Sequence, residues 1–517
     1  MGPPYERSWR SPPCPLVGKE YKPVNIVIAF NPKKETFEVS NPAIRKDKAW
    51  IPDIAPLMQG EISQLKLIRQ YVVENPEMDE DELERILTRL TGISKKQIGM
   101  IELDAELDIE TVTEIFIRIN REGVTLSQAD FAMSKIAANE EFGGNQMRKA
   151  IDYFCHLAVA PEFYGHIESN DQDFGNTDYF SAMRWLRNEN DDLYDPSYND
   201  MLRVAYTSQF SRGKLADLVG LLSGRNFETR KFENEIAEKA FSDLRGGLLD
   251  FMNETNFKRF LMILKSAGFV DSSLISGQAP LNFAYILFLR LRKDGIASEL
   301  IERFVRKWFA LSLLTARYSG SMETRFDQDI RQISEMGMGE YLESIEKAVL
   351  SDAFWEVGLV QALTTSNSKH PAFRTFLASQ VKSNARGFLS KEITVRSMLE
   401  HRGDVHHIFP KDHLKKTLGL TQSQYNQVAN LVYTQQEINI AIGNAPPSEY
   451  VSDLRKQCNS GTAKYGGIVV YADLEENFTE NAVPLGLLTG EFADYQEFLK
   501  LRRQSIAKTL KAYYTSL

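Results

Sequence analysis

Hydrophobic and polar positions alternate in one short N-terminal stretch and then recur at helical spacing along most of the chain. "VNIVIAFNPKKETFEVS", from Val24, predicts two strands joined by a turn at Asn31-Pro32, because turn-forming residues interrupt runs of β-branched and aromatic ones there. After Trp50 the period changes. "DEDELERILTRL" opens on acids and then places Leu83, Ile86, Leu87 and Leu90 on one face of a helix. "DIETVTEIFIRINREGVTLSQADFAMSKIAA" reads as two helices. Val112, Ile115, Phe116 and Ile119 face inward on the first, and Asn120 to Gly123 end it. Ser127 and Asp130 have the spacing of a capping box that opens the second.

From about residue 145 to 390 nearly every segment predicts helix. "PLNFAYILFLRLR" and "ELIERFVRKWFALSLLTA" are apolar enough to sit at the centre of a bundle, with Trp308 and Phe309 in its core. Arg317, Tyr318, Ser319 and Ser321 follow as a polar loop, the alternative being contact with DNA phosphate or a sensor role. The Ser/Asn-rich stretch 366–391 is expected to lead into a last domain. That domain ends in "EFADYQEFLKLRRQSIAKTLKAYY", a helix with Tyr495, Leu499, Ile506 and Leu510 on one side and Arg502, Arg503, Lys508 and Lys511 elsewhere. No internal repeat or low-complexity tract interrupts this order. The expected fold is mainly α with small α+β parts. Its expected divisions are a poorly ordered 1–18, an N-terminal domain 19–144, a helical domain 145–385 and a C-terminal domain 386–517.

Length and composition narrow the class. A chain of 517 residues is too long for one ordinary core. With 43% hydrophobic and 25% charged residues it reads as globular rather than disordered. No apolar run approaches the ~18 residues of a membrane span, and "MGPPYERSWRSPPCP" lacks the apolar core of a secretory signal. Cys14, Cys155 and Cys458 are too few and too scattered for a disulfide framework or a Cys-x-x-Cys zinc knuckle. A cytoplasmic protein with no membrane partner is expected. The net charge of −9 argues against binding nucleic acid by bulk electrostatics. Between Lys382 and Lys416, however, eight Lys/Arg face four acids, a local +4; it reads as a solvated face, the alternative being a rim that contacts phosphate.

That basic stretch contains most of the chain's histidine. Four of the seven histidines, His401, His406, His407 and His413, fall within thirteen positions, in and just before "GDVHHIFPKDHLKK". Histidine is the side chain that serves as base or metal ligand near neutral pH. About twenty residues on comes "NQVANLVYTQQEINIAIGNAPPSEYV", where Asn430 precedes a short apolar strand, Leu431 to Tyr433. Thr434 and Glu437 have capping-box spacing, which predicts a helix from about 435 with Asn439 in its second turn. His401 and His413 have no place in this order and read as incidental.

A strand ending in His-His, a return strand with Asn at its mouth and a helix bearing Asn together resemble the HNH, or ββα-metal, nuclease motif. The resemblance implies His407 as general base, with Asn430 beside it in the catalytic hairpin as the residue that ties the hairpin together. It implies His406 and Asn439 as ligands of a divalent metal, Mg²⁺ or Mn²⁺, with Asp404 completing the metal site by orienting His406.

A wider likeness rests on "IFIRINREGVTLSQADF", "WFALSLLTARYSGSMETRFDQDI", "DVHHIFPKDHL" and "ENAVPLGLL…DYQEFLKLRR". With these segments the chain resembles the GmrSD family of type IV, modification-dependent restriction enzymes, over roughly residues 20–517. The family pattern implies a truncated remnant of a ParB/sulfiredoxin-like N-terminal domain over 19–144, a central helical bundle and a C-terminal HNH domain. It implies double-stranded DNA, including modified phage DNA, as partner. Asn120 and Gly123 match the family's Asn-x-x-Gly turn and are its candidate cofactor-binding residues. The family's Asp-Gly-Gln-Gln-Arg motif for nucleotide hydrolysis does not occur in this sequence. The proline-rich start is therefore expected to stand in place of a lost segment, and use of a nucleoside triphosphate by this chain is in doubt. Three functions compete: a metal-dependent DNA endonuclease of antiphage defence, an idle adaptor on the same fold, and an RNA nuclease. A homo-oligomer is compatible with each.

Overall fold

The computed structural model describes residues 27–40, 44–96, 127–188, 193–401, 403–491 and 494–517. The expectations for residues 1–18, for Cys14, for the inward face Val112 to Ile119 and for Asn120 and Gly123 lie outside the described residues. The fold is mainly α-helical with a few short strands. The chain forms two compact units, Met1–Val112 and Thr113–Leu517.

In the first unit, β1 (Ile28–Asn31) and β2 (Thr36–Val39) pair antiparallel, with Phe30 opposite Phe37. The side chain of Asn31 accepts from the Lys34 amide and closes the predicted turn (3.1 Å). Two helices follow, α1 (Gln64–Glu74) and α2 (Glu80–Gly92). Asp79 caps α2 by accepting from the Glu82 amide, and acids fill its first turn, where the helix dipole favours them. Leu83, Ile86, Leu87 and Leu90 are buried as their spacing predicts, in one core with Phe30, Ile51, Ile68 and Tyr71.

In the second unit, Ser127 and Asp130 form the expected reciprocal capping box on α3 (Gln128–Ala138). Helix α4 (Tyr198–Phe210) packs on α5 (Gln278–Lys293), which packs on α6 (Ser298–Leu314). Helix α5 is buried nearly all round, from Leu281 to Leu291, as befits the centre of a bundle. Trp308 and Phe309 of α6 are fully buried.

The structure bears out one sequence expectation here and corrects two. Within stretch 366–391, Pro371–Lys382 is a buried helix, α7, packed on α6, as the helical reading of 145–390 expects. Its polar Ser and Gln lie among Phe373, Phe376, Leu377 and Val381, which are buried. The loop after α6 does not offer Arg317 to a phosphate. The Arg317 guanidinium is buried and paired with Asp329 through Nε to Oδ2 (2.8 Å) and Nη2 to Oδ1 (2.5 Å). Tyr318 and Tyr341 also donate to that carboxylate (2.9 and 2.8 Å).

The second correction concerns Arg502, which the sequence reading sets apart from the apolar side; three residues after Leu499 and four before Ile506, it lies on that side. It is fully buried. Its guanidinium reaches the carbonyls of Ala429 (2.8 Å) and Asn481 (3.2 Å).

Candidate functional site

The site is assembled from a hairpin with a long connection and the helix that follows it. Strand β3 (Asp404–His407) pairs antiparallel with β4 (Leu431–Thr434), placing His406 opposite Val432 and His407 opposite Leu431. The connection carries α8 (Lys411–Thr417), α9 (Gln422–Tyr425) and a 3₁₀ turn at Val428–Asn430. Helix α10 (Gln436–Ile442) then packs against β3. Alternation along β3 turns His406 into the interior and leaves Val405 exposed, while His407 is half-buried.

The start of α10 differs from expectation. Thr434 is the last residue of β4, and its hydroxyl donates to the Phe388 carbonyl (2.7 Å) instead of capping the helix. The cap position is Gln435, whose side chain does not cap; it accepts from the Ser390 hydroxyl (2.7 Å). The Phe388 amide donates to the Tyr433 carbonyl (2.7 Å), so this segment covers the open edge of β4. Asn439 falls in the first turn of α10, one residue after buried Ile438.

The predicted residues converge. Asn439 Oδ1 lies 2.6 Å from His406 Nδ1, so Nδ1 carries the hydrogen. Among the described residues, His406 Nε2 is buried without a hydrogen-bond partner. Burial pushes the His406 pKa down to about 4, against the raising effect of the Asn439 bond and with help from His407. Burial also lowers the pKa of His407, and the charge of Lys411 adds to that. Both rings are therefore neutral near pH 7, the form a base or a metal ligand requires.

Asn430 is fully buried and works on the backbone. Its Oδ1 accepts from the Phe409 amide (2.9 Å), and its Nδ2 donates to the carbonyls of Phe409 (3.0 Å) and Tyr425 (3.2 Å). Asp404 opens β3 opposite Thr434. His401 ends a short helix, exposed, and His413 faces Thr417 one turn away (3.4 Å). Neither joins the pair.

The sequence reading missed Asn426 and the buried supports. Asn426 Oδ1 lies 2.9 Å from His407 Nε2. Tyr450 donates from its hydroxyl to the Ile408 carbonyl (3.0 Å). Asn477 accepts from the Leu389 amide (2.8 Å) and donates to the Gly387 carbonyl (3.0 Å). None of them carries a motif signal: Asn426 meets a ring nineteen residues away, and the partners of Tyr450 and Asn477 are backbone groups up to about ninety residues away.

Among the described residues no three His, Cys, Asp or Glu side chains group to hold a metal. The donors that face each other are His406 Nδ1 and Asn439 Oδ1, 2.6 Å apart; they can share one ion only once the ring hydrogen moves from Nδ1 to Nε2, because the bare Nε2 of the Nδ1–H form points away from the amide oxygen. That set fits a hard divalent ion that keeps most of its water, as Mg²⁺ does, and Mn²⁺ tolerates the nitrogen. It does not fit a closed zinc site. Among the described residues no helix is long and apolar enough to cross a membrane.

No family model matches the chain, and no solved structure matches it. A segment of 163 residues is 25% identical to part of the uncharacterized protein MJ0686 of Methanocaldococcus jannaschii. The match covers 31% of this chain and 27% of that protein, far less than two thirds of its length. Since that relative is itself uncharacterized, the likeness brings no activity with it.

Proposed function

We propose that the chain is a metal-dependent DNA endonuclease of antiphage defence, related to the GmrSD-type restriction enzymes, whose ββα site hydrolyses phosphodiester bonds. The observation that carries this reading is the meeting of His406 and Asn439 across 2.6 Å, with His407 next along the same strand. Elements far apart in sequence place a neutral imidazole, an amide oxygen and a second imidazole together, in the order strand, strand, helix.

On this reading His407 takes the proton from the attacking water. His406 and Asn439 hold Mg²⁺ or Mn²⁺, and Asp404 orients His406. The ion, when bound, supplies charge neutralisation at the phosphate and stabilises the leaving oxygen. Asn430 keeps the hairpin closed. Exposed Lys411, Lys415 and Lys416 on α8 offer cations to the nucleic-acid backbone. No nucleotide-hydrolysing step is assigned to this chain, because the Asp-Gly-Gln-Gln-Arg sequence is missing.

A catalytically idle adaptor is the second reading. It is favoured by the scarcity of ionisable metal ligands among the described residues. One experiment separates them. Plasmid, glucosylated-cytosine phage DNA and RNA are each incubated with the protein in Mg²⁺, Mn²⁺ or chelator. The nuclease reading expects metal-dependent cutting of DNA and a loss of about 10²–10⁴-fold in His407→Ala. Equal cutting by the two proteins overturns it. Binding of DNA by the wild type without any cutting replaces it with the adaptor, and preferential cutting of RNA replaces the substrate.

A further inference from the structure

The hydrogen bond between His407 and Asn426 has no counterpart among the residues the motif predicts. Asn426 follows α9 directly, and its side-chain oxygen meets His407 Nε2 at 2.9 Å. An amide oxygen only accepts, so Nε2 is the nitrogen that carries the hydrogen. The neutral ring then presents Nδ1 as its bare nitrogen, the one able to take a proton.

Both ends of this bond are anchored. His407 is held by the strand ladder opposite Leu431, and its ring meets the Tyr425 ring edge-on at 6.5 Å. The turn that carries Asn426 is held from three sides. Asn430 donates to the Tyr425 carbonyl (3.2 Å). Tyr495, from the C-terminal helix α11 (Tyr495–Thr515), donates to the Gln424 carbonyl (3.0 Å). Arg503 of the same helix donates to Gln427 Oε1 (3.1 Å). The residues on either side of Asn426 are thus tied to two elements, the turn that bears Asn430 and helix α11. A side chain placed this firmly restricts the rotation of the imidazole and its choice of tautomer.

We infer that Asn426 is a positioning residue for phosphodiester hydrolysis, fixing His407 as the Nε2–H tautomer so that Nδ1 faces the water to be activated. The inference rests on the nuclease reading for its catalytic meaning, but the tautomer itself does not depend on that reading.

The test has two arms. In the first, histidine is labelled with ¹⁵N, the His407 signals are assigned by their loss in His407→Gln, and the protonated nitrogen is read from the nitrogen shifts. The wild type should show a single Nε2–H form, Asn426→Asp should keep it because an acceptor oxygen remains, and Asn426→Ala should show a tautomer mixture. In the second arm, metal-dependent cutting by Asn426→Ala should fall about 10–100-fold in kcat with KM and melting temperature near the wild-type values. Asn426→Asp should recover most of the loss.

An Nδ1–H form in the wild type overturns the inference, since the amide would then be donating. So does an Asn426→Ala protein that keeps the wild-type tautomer and the wild-type kcat. If the wild-type protein cuts nothing, the nuclease reading and the catalytic role of Asn426 both fall, while the spectra still decide the tautomer.

Discussion

The side chain of Asn430 and the backbone of Phe409 form a two-way pair: the Phe409 amide donates to Oδ1 (2.9 Å) and Nδ2 donates back to the Phe409 carbonyl (3.0 Å). An asparagine amide here replaces the ladder partner that the chain loses where it leaves β3. Asn439 does something else, since its bond goes to the ring of His406 rather than to backbone.

This difference predicts opposite mutant behaviour. Asn430→Ala orphans backbone groups in a fully buried position and should cost about 3 kcal/mol. Asn439→Ala removes one hydrogen bond, about 1 kcal/mol, yet should abolish metal-dependent cutting and metal binding. Denaturant melts and calorimetric metal titration measure the two effects. If Asn430→Ala is as stable as wild type while Asn439→Ala still binds metal, the two roles are exchanged.

The hairpin, the order of its residues and the helical bulk were legible because each depends on neighbours in sequence. Leu83, Ile86, Leu87 and Leu90 needed only the helical period, and Ser127 with Asp130 only a three-residue spacing. Thr434 shows where such local reading stops. It has capping-box spacing to Glu437, but the strand competes for the same residue and a carbonyl at Phe388 takes its hydroxyl. Asn426 was invisible for a related reason: what directs it is a ring brought close by the fold. Arg502 was legible in part, since the helical period sets it between Leu499 and Ile506 on the buried face, but its residue type spoke for solvent and its carbonyl partners come from elsewhere in the fold.

Arg502 supplies the next prediction. Its bonds run to the Ala429 and Asn481 carbonyls, and burial lowers its pKa to about 9, so it is charged at neutral pH. Arg502→Ala leaves a cavity and two bare carbonyls beneath the turn that bears Asn430, a loss of about 3–5 kcal/mol. Arg502→Met keeps most of the volume and removes a buried cation, and should cost clearly less. Midpoints of urea unfolding at equal slope compare them. An Arg502→Ala midpoint equal to that of wild type refutes the support role.

Asp329 is surrounded by Arg317, Tyr318 and Tyr341 and is itself fully buried. Asp329→Ala strands the Arg317 charge and should destabilise by about 3–5 kcal/mol. Removing both ends in an Arg317→Ala, Asp329→Ala protein should recover part of that loss, which a double-mutant cycle reads directly. Arg317→Ala should leave the salt dependence of DNA binding unchanged. A lower salt slope would return Arg317 to the phosphate-contacting role.

Acid should weaken the metal-free protein through His406. Its pKa in the fold is about 4, below the ordinary 6.5 that the unfolded ring regains. Between those values the unfolded chain binds more protons than the folded one, so stability must fall as pH falls through the window. Above pH 6.5 the contribution is fully present; below about pH 4 it is gone, because folded and unfolded rings are then both charged. His407, His156 and His370 are shifted the same way by burial, so they add to the slope. The His406→Asn protein isolates the one ring: measured in chelator, its urea midpoint should decline less steeply than that of wild type from pH 6.5 to 4. Parallel curves for the two proteins across that window would mean that the His406 ring is charged within the fold, and that its burial beside Asn439 does not hold in solution.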